Sequence, residues 1–225
     1  MAVLPLFFFF FFFVFASAGS SSSSSSTSHV KGVEITEFAS PDQRVNLSVY
    51  FESLNEPCAT FIIKNLVEIF NKDLINIVNL QLVPWANASI SNTNNTILCQ
   101  NGPDECLLNS LEACVLNVSH DVNIQYALIF CFEFLALEGK HKKWQSCFNQ
   151  LGLPKQPFLH CFNAGYGTQL GRLYVSQVAR LSPRFTFLPW VLVNDKPLEK
   201  DYENFVSYVC KAYKGPLVPP ACHRV

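Results

Sequence analysis

The sequence predicts an α/β fold in which a small sheet is interrupted by a helical insertion. Three observations predict it. A strand, a helix and a second strand follow one another early in the chain. Four helical patterns fill the middle, and two short strand-like runs with a last helix close it.

The first strand is "VNLSVYF" (45–51), which alternates and is rich in Val, Tyr and Phe. Pro57 suits the first turn of a helix, where a missing N–H is harmless. Ile62, Leu66, Ile69 and Phe70 then recur at helical spacing, with Lys64, Asn65, Glu68 and Asn71 opposite. "LINIVNLQLVPW" (74–85) reads as the second strand. Short joins make this a βαβ unit with parallel pairing. Helices are expected over 103–117, 122–139, 141–152 and 169–182. "RFTFLPWVLVNDKPL" (184–198) supplies two strand-like runs about a turn at Asn194-Asp195, and a helix follows over about 201–213. The order is the thioredoxin-like plan interrupted by a disulfide-rich helical insertion at about 86–183. In that plan a cis-proline precedes the third strand and faces the active-site helix, so Pro189 is the candidate cis-proline.

The ends of the chain read differently. "LPLFFFFFFFVFASA" is an apolar run ending in Ala16-Ser17-Ala18, the small-x-small pattern of a signal-peptide cleavage site. It lacks a Lys or Arg before the run. Leu4 to Phe15 falls short of the roughly 20 residues that span a bilayer. A signal peptide over 1–18 is expected, followed by a disordered Ser-rich leader over 19–32 and one domain over 33–225. No other segment is apolar enough for a stable membrane span after cleavage. A net charge of −1 without a Lys/Arg cluster argues against nucleic acid, whose binding rests on neutralising phosphates.

Nine cysteines behind a signal peptide imply disulfides in an oxidising compartment, and an odd number leaves at least one thiol unpaired. Asn46, Asn87, Asn94 and Asn117 each head an N-x-[ST] sequon of the kind secretory glycoproteins carry, Asn46 within a strand that would hinder modification. Close C-x2-C zinc pairs are absent, and His29, His120, His141, His160 and His223 are scattered, so neither metal nor other cofactor is expected.

The most specific motif is "CQNGPDECLLNSLEAC", Cys99 to Cys114. It resembles the signature of the gamma-interferon-inducible lysosomal thiol reductase (GILT) family, C-Q-H-G-x2-E-C-x2-N-x4-C. Cys99, Gln100, Gly102, Glu105, Cys106, Asn109 and Cys114 match in type and spacing, and Asn101 replaces the histidine. "YFESL", "FLPWVLVN" and the scatter of cysteines extend the similarity over most of the chain. A structural reading of the signature is preferred: its cysteines are spaced to staple a loop to a helix. Gly102 would turn the chain into that helix, with Asp104 and Glu105 favoured at its positive N-terminus. Asn101 puts a loop contact in doubt more than it does chemistry.

By resemblance, the reactive centre is a C-x-x-C at the strand-to-helix turn, which lands on Asn55-Glu56-Pro57-Cys58. Its chemistry needs an exposed first thiolate at the helix N-terminus and a second sulfur that resolves the mixed disulfide. Cys58 fills the second place. Asn55 stands where the nucleophilic cysteine belongs, and can only cap the helix. Burial and the charge of Glu56 would raise the Cys58 thiol, while the helix N-terminus lowers it, and the sequence leaves that balance open. Cys99, Cys106, Cys114, Cys131, Cys147, Cys161, Cys210 and Cys222 are the candidates for structural disulfides, in any of 105 pairings.

Resemblance thus implies a thiol–disulfide oxidoreductase of the secretory pathway, in a lysosome, vacuole or outside the cell. Its activity is impaired by the loss of the first cysteine. Its partners would be disulfide-containing or unfolded proteins, with a small thiol as donor. The alternative is a redox-inactive thioredoxin-like module that binds such polypeptides. A secreted structural glycoprotein is the third reading.

Overall fold

A computed structural model describes residues 43–224. The expected signal peptide and Ser-rich leader lie outside the described residues.

The central sheet runs β2-β1-β5-β6. Strand β1 (Val45–Tyr50) pairs in parallel with β2 (Val78–Val83), Val45 opposite Val78 and Tyr50 opposite Val83. On its other edge β1 is antiparallel to β5 (Trp190–Val193), with Tyr50 opposite Trp190. A turn at Asn194 and Asp195, both at positive φ, returns the chain into the short β6 (Lys196–Pro197). This is the expected βαβ and ββ framework of the thioredoxin-like plan. Strand β5 is buried throughout, whereas β1 and β2 carry exposed polar residues at Asn46, Asn79 and Gln81.

The crossover from β1 to β2 begins as α1 (Glu56–Thr60) and ends as α2 (Glu68–Asn71). The sequence predicts one continuous helix there. Instead a π-helical turn, Phe61–Asn65, separates the two, and the N–H of Leu66 reaches back to the carbonyl of Phe61. Phe61, Ile62, Leu66 and Ile69 are fully buried together across this turn. Phe61 meets Phe205 of the last helix, α8 (Phe205–Ala212), edge to face.

Between β2 and β5 lies the helical insertion. A small hairpin, β3 (Ser89–Ile90) and β4 (Ile97–Leu98), leads into α3 (Pro103–Val118) and α4 (Val122–Leu137), and then α5 (Ser146–Gln150), α6 (Gln156–Asn163) and α7 (Tyr166–Ala179) follow. Helix α3 is the spine, packed on by α4, α6 and α7. Close approach of α7 requires Gly167, since a Cβ there would lie 2.1 Å from the carbonyl oxygen of Ser110.

Four disulfides tie the insertion and the tail: Cys99–Cys106, Cys114–Cys161, Cys131–Cys147 and Cys210–Cys222. Cys114–Cys161 joins α3 to α6 across 47 residues, and so removes the largest share of unfolded-chain freedom. Several boundaries differ from the expected ones. Residues 74–76 form a 3-10 turn instead of strand, 184–187 are irregular, and 199–204 are a 3-10 segment before α8. The predicted helix over 141–152 is a 3-10 turn at His141–Lys143 followed by α5. Helix α6 has no counterpart among the expected elements. It is only two turns long, and Pro157 near its start resembles loop punctuation.

Candidate functional site

At the end of β1 the chain enters a turn, Phe51 to Asn55, with Leu54 at φ 59°. Asn55 is extended (φ −104°, ψ 111°) and caps α1: its Oδ1 accepts the N–H of Cys58 at 3.1 Å. Its Nδ2 donates to Oε1 of Glu52 at 3.0 Å. The amide at this position therefore fills the cap and ties the turn together, and it offers no nucleophile. Beside it is an open cleft of about 340 Å³, lined by Leu54, Asn55, Glu56, Ala59, Ala136 and Leu137.

Cys58 is the one unpaired cysteine among the described residues, and it is 0% exposed. Burial pushes its thiol well above the ordinary range. A backbone hydrogen bond from Glu52 opposes that, and the charges of Glu133, Glu52 and Glu112 reinforce it. Glu56, expected from sequence to be the neighbour that raises this thiol, is exposed and does not number among these causes. Glu112 and Glu133 come from α3 and α4, far from Cys58 in sequence, and Glu52 from the preceding turn. Without a lowered pKa a thiol is mostly protonated at neutral pH and attacks slowly.

The Leu188–Pro189 bond is cis, as is Ser182–Pro183, which no sequence signal singled out. Pro189 is buried and directly precedes Trp190, which pairs with Tyr50 at the sheet end from which the Asn55 turn departs. Rings continue the connection: Phe187 lies 5.9 Å from Tyr202, and Tyr202 lies 5.5 Å from Phe61 on the segment following α1. Burial raises the Tyr202 phenol, and the charges of Glu203 and Cys58 raise it further. Thus Asn55, Cys58 and Pro189 share one end of the sheet.

Part of the Cys99–Cys114 signature reaches the same place. The N–H and hydroxyl of Ser53 both lie 3.0 Å from Oδ1 of Asn109, and Ser53 Oγ lies 2.9 Å from Glu112 Oε2. Asn109 Nδ2 donates to Glu105 at 3.3 Å. So α3 holds the turn through a polar face, Glu105, Asn109 and Glu112, that is wholly buried. Glu105 was expected to gain from the helix N-terminus. Its carboxyl is instead raised by burial, with hydrogen bonds from Asn101 and Asn109 pulling it down. Asp104 is the residue held low, chiefly by its hydrogen bond to His141. The loop contact at Asn101 is made to Glu105, by its backbone N–H and also by its side chain.

The rest of the signature lies elsewhere. Gly102 (φ 90°) turns the chain into α3. Gln100 accepts from Asn87, and the half-buried Cys106 lines a second cleft of about 400 Å³ with Trp85, Ser110 and Arg172. Cys114 is buried in its bridge to Cys161. The sequon asparagines Asn46, Asn87, Asn94 and Asn117 are all exposed, and Asn46 accepts from Asn79 on the neighbouring strand. Among the described residues no group of three His, Cys, Asp or Glu side chains could hold a metal, and no helix is long and apolar enough to cross a membrane. Sequence reasoning missed Glu52, Ser53, Glu112 and Glu133. The 105–109–112 spacing, one face of a helix, was the available signal.

Comparison with known proteins bears on the family and the fold. Residues 46–151 match the family model described as gamma interferon inducible lysosomal thiol reductase (GILT). The chain is 36% identical over 189 residues to a gamma-interferon-responsive lysosomal thiol protein of Arabidopsis thaliana, covering 82% of this chain and 78% of that one. It is 33% identical over 189 residues to the gamma-interferon-inducible lysosomal thiol reductase of Mus musculus, covering 82% and 74%. In fold it is similar to MdbA, a thiol-disulfide oxidoreductase from Actinomyces oris, at TM-score 0.51 and 13% identity, covering 77% of this chain and 84% of that one.

Proposed function

From its place in the GILT thiol reductase family, to which this chain belongs, we propose that it engages disulfide-containing or unfolded polypeptides in the secretory or lysosomal pathway, with impaired dithiol turnover. The family and the fold are those of thiol–disulfide oxidoreductases. The compartment is carried over from relatives named lysosomal, together with the Ala16-Ser17-Ala18 leader pattern and the sequons.

One observation carries the impairment: Asn55 caps α1 at the position where the attacking sulfur belongs. In the complete cycle an exposed thiolate attacks the substrate disulfide, releasing one substrate thiol and forming a mixed disulfide. A second thiolate then attacks the enzyme-side sulfur, releases the other substrate thiol and leaves an enzyme disulfide that a small thiol re-reduces. Cys58 has no neighbouring sulfur to complete either half. The frame for the substrate remains in this reading: the cleft beside Asn55 and the cis-peptide at Pro189.

A second reading, a redox-inactive binding module, is favoured by the complete burial of Cys58, which withholds even a single-thiol reaction. Reduction of a denatured disulfide substrate by the native protein, Cys58→Ser and Asn55→Cys, near pH 5 and pH 7, separates the two. The impaired reductase retains weak turnover that Cys58→Ser abolishes and Asn55→Cys raises by at least tenfold. The binding module shows no turnover and unchanged polypeptide binding in Cys58→Ser. Full native activity indifferent to Cys58→Ser would place the chemistry elsewhere.

A further inference from the structure

Four glutamates surround the turn from beneath. Glu52 on the turn, Glu105 and Glu112 on α3, and Glu133 on α4 are each 0–1% exposed. A carboxylate stripped of water is strongly disfavoured unless a cation or several donors compensate. None of the ion pairs among the described residues involves any of the four. Moreover Glu52 Oε2, Glu112 Oε1 and Glu133 Oε2 are buried without a hydrogen-bond partner.

The packed elements supply no compensating charge. Helix α1 contributes Cys58, whose thiol those carboxylates raise, while Glu56 and Lys64 point to solvent. On α3 the remaining acid, Asp104, is engaged by His141 and Lys142. Just past α4 the exposed Glu138 pairs with Lys140. From α6 His160 is exposed, and from α7 Arg172 is bound to Asn95 while Tyr174 is half-buried.

The donors within reach are too few for the acceptors. Ser53 has one hydroxyl hydrogen, yet its oxygen touches two acceptors, Asn109 Oδ1 and Glu112 Oε2. The hydroxyl is shared between the two acceptors, and a proton on Glu112 relieves this by donating back to Ser53. The charge of Glu112 raises Glu133, so the two buried carboxyls resist ionising together. Glu105, with donors from Asn101 and Asn109, is the member best able to bear charge.

We infer that Glu52, Glu112 and Glu133 form a pH-operated clamp: protonated, they tie the Glu52–Asn55 turn to α3 and α4, and on ionising they loosen it. Ionised Glu112 leaves Ser53 one hydrogen for two acceptors and faces Glu133 as a like charge. Burial first, and then the charge of Glu105, raise Glu52 to about 7, and burial raises both Glu112 and Glu133. A carboxyl raised by folding keeps its full stability below its unfolded value and loses it as pH climbs through the folded one. The loss therefore falls between an unfolded glutamate near ~4.3 and about 7. The clamp stands apart from the redox reading, since it uses neither a thiolate nor Asn55 as a nucleophile.

Thermal melts of the intact protein from pH 4.5 to 7.5 test it. The midpoint should fall by at least about 5 °C over that range, since each kcal/mol moves it by roughly 2–4 °C in a chain of this size. Glu133→Gln should remove most of the fall, with Glu112→Gln as the second variant should the first not fold. His141, bonded to Asp104 outside the cluster, supplies the control: His141→Gln should keep the wild-type slope. Hydrogen exchange, corrected for its intrinsic pH dependence, should show residues 52–58 losing protection at pH 7.5 in the native protein and not in Glu133→Gln. A midpoint that is flat or rises with pH, a wild-type slope in both glutamine variants, or a slope abolished by His141→Gln would overturn the clamp.

Discussion

The turn at Asn55–Cys58 and the helix that begins at Gly102 make an instructive pair. In the turn an extended asparagine, Asn55, caps the helix, and the N–H groups of the first turn point at it. In α3 nearly every signature residue is present, yet Glu105 and Asn109 serve a buried polar contact with Ser53, and the cysteines form cross-links. The two regions are one structure, because Asn109 and Glu112 hold the turn in place. A reactive atom is a single substitution from absence, whereas a buried hydrogen-bond network loses several partners at once and is costly to break.

The largest effect should therefore come from α3 and not from the turn. Asn109→Ala strands the N–H of Ser53 and deprives Glu105 of one donor, and should cost about 3 kcal/mol, as expected for buried groups left unpaired. Denaturant unfolding at pH 5 measures it. Hydrogen exchange at Ser53 should rise with it. A loss below about 1 kcal/mol would mean that the turn holds itself, and the two regions would be independent after all.

Much of this was legible and some was not, for physical reasons. The sheet strands announce themselves as short apolar runs, and Pro57 marks the start of α1, so the framework follows from local chemistry. The Cys99–Cys114 spacing pointed to the right family. The π-turn at Phe61–Asn65 is invisible because it is set by how Ile62 and Leu66 meet the core, a tertiary demand. The buried glutamates are the sharper case. Glu112 and Glu133 each lie in helices whose acids normally face water, so composition argues for exposure. Only the approach of the turn to α3 and α4 turns them inward. That same approach explains why Glu56, the adjacent acid in sequence, is irrelevant to Cys58 while Glu133 is not.

An intermediate effect is expected at the thiol. Cys58→Ser introduces a hydroxyl where no cross-link is lost and no exposed surface exists, which should cost about 1–2 kcal/mol. Thermal unfolding with a thiol titration of both proteins checks it. A larger loss would show that Cys58 packs as tightly as the α3 network and belongs with it, erasing the contrast between the regions.

The smallest effect belongs to the cap. Asn55→Ala removes the acceptor for the Cys58 N–H and the donor to Glu52, and loss of an N-cap costs about 1 kcal/mol. Asn55→Asp restores the acceptor but sets a second carboxyl against Glu52, whose own proton is held up to about 7. The two variants should therefore differ with pH. Near pH 5 a protonated Glu52 can donate to the aspartate, so Asn55→Asp should be about as stable as the native protein. Toward pH 7.5 Glu52 ionises beside it, and Asn55→Asp should fall below Asn55→Ala. Unfolding free energies of both variants at the two pH values decide the matter. A crossing of their order means that the turn senses the charge state of the carboxyls beneath it, whereas parallel behaviour would confine Asn55 to capping alone.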